Sequence, residues 1–290
     1  MEIEVMKQDS IAQGPAAKRE NFRAAYVLSV IVAVLAATVS VVGLRFPAVY
    51  RSNDWGAGVS LGNDLVTLAV AVPVLAVAII YSARGSVRAR MVWLGALYYM
   101  FYNYAFYVFG LPVTKLYLPL IAIFTLSAFA LALGLGNLDV ESISRRFSPR
   151  TPAKPIAAYM FFVAVMVARL WISQWLKFVF TGKVPEVNGS QDAFRVIAAV
   201  DLSFMVSLLI PAACLLWRRR PWGYVLGVVL MLQGAMYTAV MGAVCVFGWR
   251  LTPGSHLFSN WFIGCVVGCT VSLLCLCGLL LNVERPRATN

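Results

Sequence analysis

The apolar residues of the chain fall in eight blocks, at about 25–44, 59–81, 91–110, 116–136, 156–176, 196–217, 222–248 and 260–282, separated by polar turns. Each block is about twenty residues long, the length at which a helix covers the hydrocarbon of a bilayer. A spanning segment must satisfy its backbone groups internally, and at this length a helix does so. The pattern predicts an all-α polytopic membrane protein with eight transmembrane helices. The first block follows 24 polar, mixed-charge residues and runs too long for the apolar core of a cleavable signal peptide, so it is expected to remain as a span.

Charge adds orientation to this pattern. The chain has 24 Lys+Arg against 12 Asp+Glu, a formal net charge of +12. With the N-terminus placed in the cytoplasm, the inner segments 1–24, 82–90, 137–155, 218–221 and 283–290 hold 16 of the basic residues, the outer segments hold 7, and Arg169 lies within a block. Every inner segment is basic, which predicts both termini in the cytoplasm of a plasma (inner) membrane. The basic excess then reads as topology and as attraction to anionic lipid headgroups, not as a nucleic-acid footprint. The expected partners are the bilayer itself and a small-molecule ligand, while the pattern leaves oligomerisation open. Six cysteines all lie in the blocks, where they serve as small hydrophobes, and the single histidine, His256, lies in an outer loop. With no paired intramembrane histidines and no zinc spacing, no cofactor or metal is expected.

The blocks also repeat. Asp64-Leu65 corresponds to Asp201-Leu202 at an offset of 137, Pro73 to Pro211 at 138, "GALY" at Gly95–Tyr98 to "GAMY" at Gly234–Tyr237 at 139, and "VFG" at Val108–Gly110 to "VFG" at Val246–Gly248 at 138. Matches in one order at nearly one offset predict two four-helix repeats. Four helices is an even number, so both repeats have the same orientation, related by an axis along the membrane normal. The expected divisions are a tail at 1–24, repeats at 25–136 and 156–282, a basic proline-containing linker at 137–155 and a tail at 283–290. The run "NDLVTLAVAVPVL" with "GALYYMFYNYAFYVFG", and later "VDLSF" with "LLWRRRPWGY", resembles a group of bacterial multi-pass membrane proteins with no assigned activity. The resemblance implies a bacterial inner-membrane setting and nothing about a ligand.

Three charged residues stand inside the blocks: Asp64, Asp201 and Arg169. A charge in hydrocarbon costs about 2.5–3.5 kcal/mol on insertion scales, so each should face the bundle interior or a wet cavity. Counted from the outer end, both aspartates are sixth in their blocks, roughly 8–9 Å deep at 1.5 Å per residue. Arg169 is eight residues below the outer end of the preceding block, which predicts an Arg169–Asp201 ion pair and leaves Asp64 without a visible partner. Tyr99, Asn103 and Tyr107 share one helical face, and Gln233 and Tyr237 share another, so these five are candidates to line the same polar layer. Tyr104 and Tyr107 also fit an interfacial aromatic belt. Pro73 and Pro211, each near the middle of its block, are hinge candidates. The pairs Gly58 and Gly62, and Gly264 and Gly268, predict close helix contact.

Three functions fit these residues. A small-solute transporter or permease-like protein follows from the parallel repeat, the paired prolines and the polar layer. An accessory or structural subunit follows if the ion pair only pins helices. A membrane enzyme acting on a lipid-like substrate fits least, since the blocks hold no histidine, metal pattern or nucleophile signature to support it.

Overall fold

The computed structural model describes residues 15–50, 54–187, 190–251 and 259–284. Most of the expected N-terminal tail, Arg51, His256 and residues 285–290 lie outside the described residues. The fold is all-helical, 86% of it helix, with no strand among the described residues. The helices are α1 (Pro15–Arg45), α2 (Asp54–Val66), α3 (Val72–Ala83), α4 (Val87–Gly110), α5 (Tyr117–Gly136), α6 (Val140–Ser144), α7 (Ala153–Thr181), α8 (Gln191–Val200), α9 (Ser207–Trp217), α10 (Pro221–Leu251) and α11 (Asn260–Leu281). A π-helical segment, Thr67–Ala71, joins α2 to α3, and a second, Asp201–Val206, joins α8 to α9.

Seven helical stretches are long and apolar enough to cross a membrane: Phe22–Arg45, Gly58–Ala83, Tyr117–Gly136, Ala153–Thr181, Gln191–Trp217, Pro221–Arg250 and Asn260–Leu281. The remaining predicted span is α4. At 24 residues it is long enough, but Tyr98, Tyr99, Tyr102, Tyr104, Tyr107 and Asn103 lower its apolarity. All six of these side chains are buried. The apolar faces of its neighbours surround α4, so its polar groups meet protein rather than lipid. Helix α1 also begins at Pro15, ten residues inside the stretch expected to be a loose tail.

Helices α4 and α10 pack against each other at the centre. Helix α4 also touches α3, α5 and α8, while α10 touches α2, α9 and α11. The approach is close because small residues remove the barrier. A Cβ on Gly95 would stand 2.9 Å from a Leu232 methyl, and a Cβ on Gly62 would stand 2.7 Å from the Val244 backbone nitrogen. Of the second glycine pair, Gly268 lies against Thr238, whereas Gly264 faces open space.

Both proline-bearing stretches carry their π segment just before the proline, with Pro73 at the start of α3 and Pro211 within α9. Proline cannot donate to the carbonyl four residues earlier and its ring clashes there, so the local ladder rearranges. Both stretches then end in the same turn. The Ser86 N–H donates to the Tyr81 carbonyl at 3.0 Å and the Arg220 N–H to the Leu215 carbonyl at 2.8 Å, around left-handed Gly85 and Arg219. Arg219 is held in that conformation by donation to the Thr151 carbonyl at 3.1 Å.

The 137–155 segment is packed rather than slack. Asp139 caps α6 by accepting from the Ser142 N–H at 3.0 Å. Val140, Ile143 and Phe147 are buried, and the Phe147 ring stacks on Tyr224 with centroids 4.5 Å apart. The Ser148 N–H donates to the Asn282 carbonyl at 2.9 Å and the Glu284 N–H to the Arg146 carbonyl at 2.7 Å. Arg88 donates to the Val283 carbonyl. The segment is therefore buckled to the end of α11 at one end of the bundle.

Candidate functional site

Asp64 and Asp201 are each the tenth residue after the first residue of their helix, Asp54 and Gln191. That places them about 15 Å along it at 1.5 Å per residue. They are 1% and 3% exposed. Both are reached by tyrosines of α4.

On one face of α4, Tyr98 and Tyr102 are one turn apart and point at the second π segment. Tyr102 donates to Asp201 Oδ1, and Tyr98 donates to the Phe204 carbonyl. The Phe204 carbonyl lies inside that π segment, where the α-helical ladder is broken, and the Tyr98 hydroxyl supplies it with a donor. On a second face, Tyr99 and Tyr107 point at the first π-containing stretch. The Tyr99 hydroxyl is 3.2 Å from Thr67 Oγ1, and the Tyr107 hydroxyl is 3.0 Å from Asp64 Oδ1 and 3.2 Å from the Ser60 carbonyl. Adjacent residues on a helix are about 100° apart, so one helix presents both faces at once.

The two carboxylates differ in their remaining oxygen. Asp201 Oδ2 accepts from the Trp171 indole nitrogen at 2.8 Å, which completes a two-donor clamp. Trp171 is itself wedged edge-on against Phe194, centroids 5.7 Å apart. Asp64 Oδ2 has no hydrogen-bond partner among the described residues. It lies against Gly43 of α1, where a Cβ would stand only 1.9 Å away. The Ser40 and Tyr50 hydroxyls lie close enough to interact with the same carboxylate, and Ser40 also with Tyr104, but in geometry poorer than the Tyr107 bond.

The expected Arg169–Asp201 ion pair is not formed. Arg169 is exposed, and the only ion pair among the described residues is Arg195–Asp192 at 3.0 Å, on the surface of α8. Two residues along a helix turn the side chain by about 200°, so α7 turns Trp171 toward Asp201 and Arg169 away from it. The interfacial-belt assignment of Tyr104 and Tyr107 also fails, because both are buried, at 1% and 4% exposure. Asn103 and Gln233 are buried, each with an amide nitrogen that has no partner among the described residues. Tyr237 reaches no carboxylate and packs edge-on to Tyr102, centroids 5.4 Å apart.

Sequence reading missed Tyr102, Tyr98 and Trp171. The first two share an i, i+4 face, but the neighbouring face of Tyr99 carries Asn103 and is the more polar in the sequence. The donors around both carboxylates are neutral, and no group of three or more His, Cys, Asp or Glu suits a metal among the described residues. Two clefts lie elsewhere: one of about 710 Å³ is lined by Asp139, Glu141, Arg220 and Trp222, and one of about 480 Å³ by Gln174, Lys177 and Lys183. No protein-family model, curated protein or solved structure matches the chain. Length, apolarity and all-helical architecture are compatible with an integral membrane protein.

Proposed function

We propose that this membrane protein is a small-solute transporter whose working groups are Asp64 and Asp201, held in the outer half of the bilayer. The observation that carries this reading is the pair of buried carboxylates, each beside a π segment and a proline, with no cation against either among the described residues. A strut between helices needs no ionisable group, since hydrophobic contact of the same volume does as well or better. Intramembrane carboxylates of this kind mark ion and substrate routes. Broken helices near the bilayer centre are where secondary transporters place their sites.

The same reading takes α4 as the eighth span, both termini as cytoplasmic and the two halves as parallel repeats of a plasma-membrane protein. The contact pattern supports the repeat. Helix α2 of the first half packs on α10, and α8 of the second packs on α4, a reciprocal exchange about an axis between α4 and α10. Burial of both carboxylates corresponds to a closed state of the carrier, and the paired π segments give two places where the spans can bend open.

The test is electrogenic transport in proteoliposomes, measured on a solid-supported membrane with a panel of cationic and zwitterionic solutes (amino acids, polyamines, quaternary amines). The expected result is a saturable current for at least one class that disappears in Asp64→Asn. Current unchanged by that substitution removes Asp64 from the mechanism. The accessory-subunit reading loses its support with the missing ion pair.

A further inference from the structure

We infer that Asp64 Oδ2, the Tyr50 hydroxyl and the Ser40 hydroxyl form part of a binding site for a hard monovalent cation, for which sodium is the probe. These three oxygens come from three separate elements: α1, the 3₁₀ turn Pro47–Tyr50, and α2. All three residues are at most 2% exposed; both hydroxyls are turned to Asp64, and Ser40 also to Tyr104, yet none of the three oxygens makes a hydrogen bond of good geometry among the described residues. A buried polar atom left unpaired costs about 1–3 kcal/mol, and more if charged, so three around one carboxylate call for an occupant.

Ser40 gives an independent sign. Hydroxyls in the spans of this protein habitually bond back to the carbonyl one turn earlier: Ser29 to Ala25 at 2.6 Å, Thr38 to Val34 at 2.8 Å, Ser127 to Ile123 at 2.6 Å and Thr270 to Val266 at 2.9 Å. Ser40 forgoes that bond and is turned to the carboxylate. Gly43 gives another. A Cβ there would stand 1.9 Å from Asp64 Oδ2 and 2.8 Å from the Tyr50 hydroxyl, so a bare backbone is what lets both oxygens approach one point.

The chemistry of the donors selects the ion. All are oxygens, as a hard cation requires, and no nitrogen or sulfur ligand is present to favour a transition metal. One carboxylate balances one positive charge, whereas a divalent ion would leave a surplus charge buried in hydrocarbon. Asp201 serves as the internal control, because both of its oxygens are already taken by Tyr102 and Trp171.

The site deepens the transporter reading and rests on it for the ion's purpose, coupling solute movement to a sodium gradient. Its occupancy is testable without transport. The full-length protein in neutral detergent is titrated with sodium chloride, choline chloride holding the ionic strength constant, and its melting temperature is followed. A bound ion raises stability as it saturates. The expected result is a saturable rise with sodium that is absent in Asp64→Asn and intact in Asp201→Asn. Tyr50→Phe and Ser40→Ala, each removing one oxygen, should raise the half-saturating sodium concentration several-fold. These two milder variants decide the matter if Asp64→Asn fails to fold. Equal melting temperatures in sodium and choline, or a sodium effect that survives the loss of these oxygens, overturn the site. A sodium effect without any solute-driven current keeps the site and removes the transporter; a current without a sodium effect does the reverse.

Discussion

The indole nitrogen of Trp171 donates to Asp201 Oδ2 across 2.8 Å, while Arg169, two residues earlier on the same helix, is exposed. A neutral donor therefore does what a guanidinium was expected to do. Arg169→Ala should leave stability within about 0.5 kcal/mol, as surface substitutions do. Trp171→Phe leaves Asp201 Oδ2 unpaired and should cost about 1–3 kcal/mol. Thermal unfolding in detergent separates the two.

The α4 tyrosines bind two different partners in one layer, and their hydroxyls should couple to those partners individually. Tyr102→Phe should cost about 1–3 kcal/mol in the presence of Asp201 and much less in Asp201→Leu, which removes the acceptor, because the lost bond is shared. Tyr107→Phe should behave the same way with Asp64→Leu and be additive with Asp201→Leu. Two double-mutant cycles of unfolding free energy check this. Coupling between Tyr107 and Asp201 would mean that the two faces of α4 are not independent.

Glycine positions give a steric test of the packing. Gly62→Ala drives a methyl to 2.7 Å from the Val244 backbone and should destabilise by about 1–3 kcal/mol. Gly242→Ala, with nothing within 4 Å of its Cβ, should be neutral or stabilising by up to about 1 kcal/mol, since alanine is the better helix former. Melting temperatures of the two variants should move in opposite directions or differ by several degrees.

Much of this architecture was legible in the sequence, and the failures have physical causes. Blocks of twenty apolar residues give helix length directly, so seven of eight predicted spans reappear as apolar helices. The exception, α4, reads as less apolar because its tyrosines are turned to protein, a distinction that block counting cannot make. Asp64 and Asp201 stood out because a carboxylate in hydrocarbon is costly wherever it points. Their partners did not stand out, because Trp171 and Tyr102 are ordinary membrane residues whose role depends on rotation about their helices. A cation two residues from the right place was the more conspicuous candidate. The π segments were foreshadowed only by Pro73 and Pro211, which signal a disturbed ladder without giving its form. The polar linker gave no sign of its packing, since the groups it bonds to, the backbone of Asn282 and Glu284, are far away in sequence.

That buckle should matter for stability at one end of the bundle. Phe147→Ala removes the ring stacked on Tyr224 and should cost about 3–5 kcal/mol if the end unfolds with the rest. Limited proteolysis checks it: the 137–155 segment should resist cleavage in the natural protein and be cut at its arginines in Phe147→Ala. Equal cleavage of both would place the segment outside the cooperative fold.

The central claim is that the buried carboxylates are kept for work and not for strength. The most direct measurement is solute-driven current in proteoliposomes, normalised to folded protein, for the natural chain and for Asp64→Asn, with the melting temperature of each taken from the same preparation. The account predicts that Asp64→Asn melts at the same temperature or higher, in the absence of sodium, and carries no current. A variant that melts far lower yet carries full current per folded molecule would make Asp64 a structural residue and contradict the account.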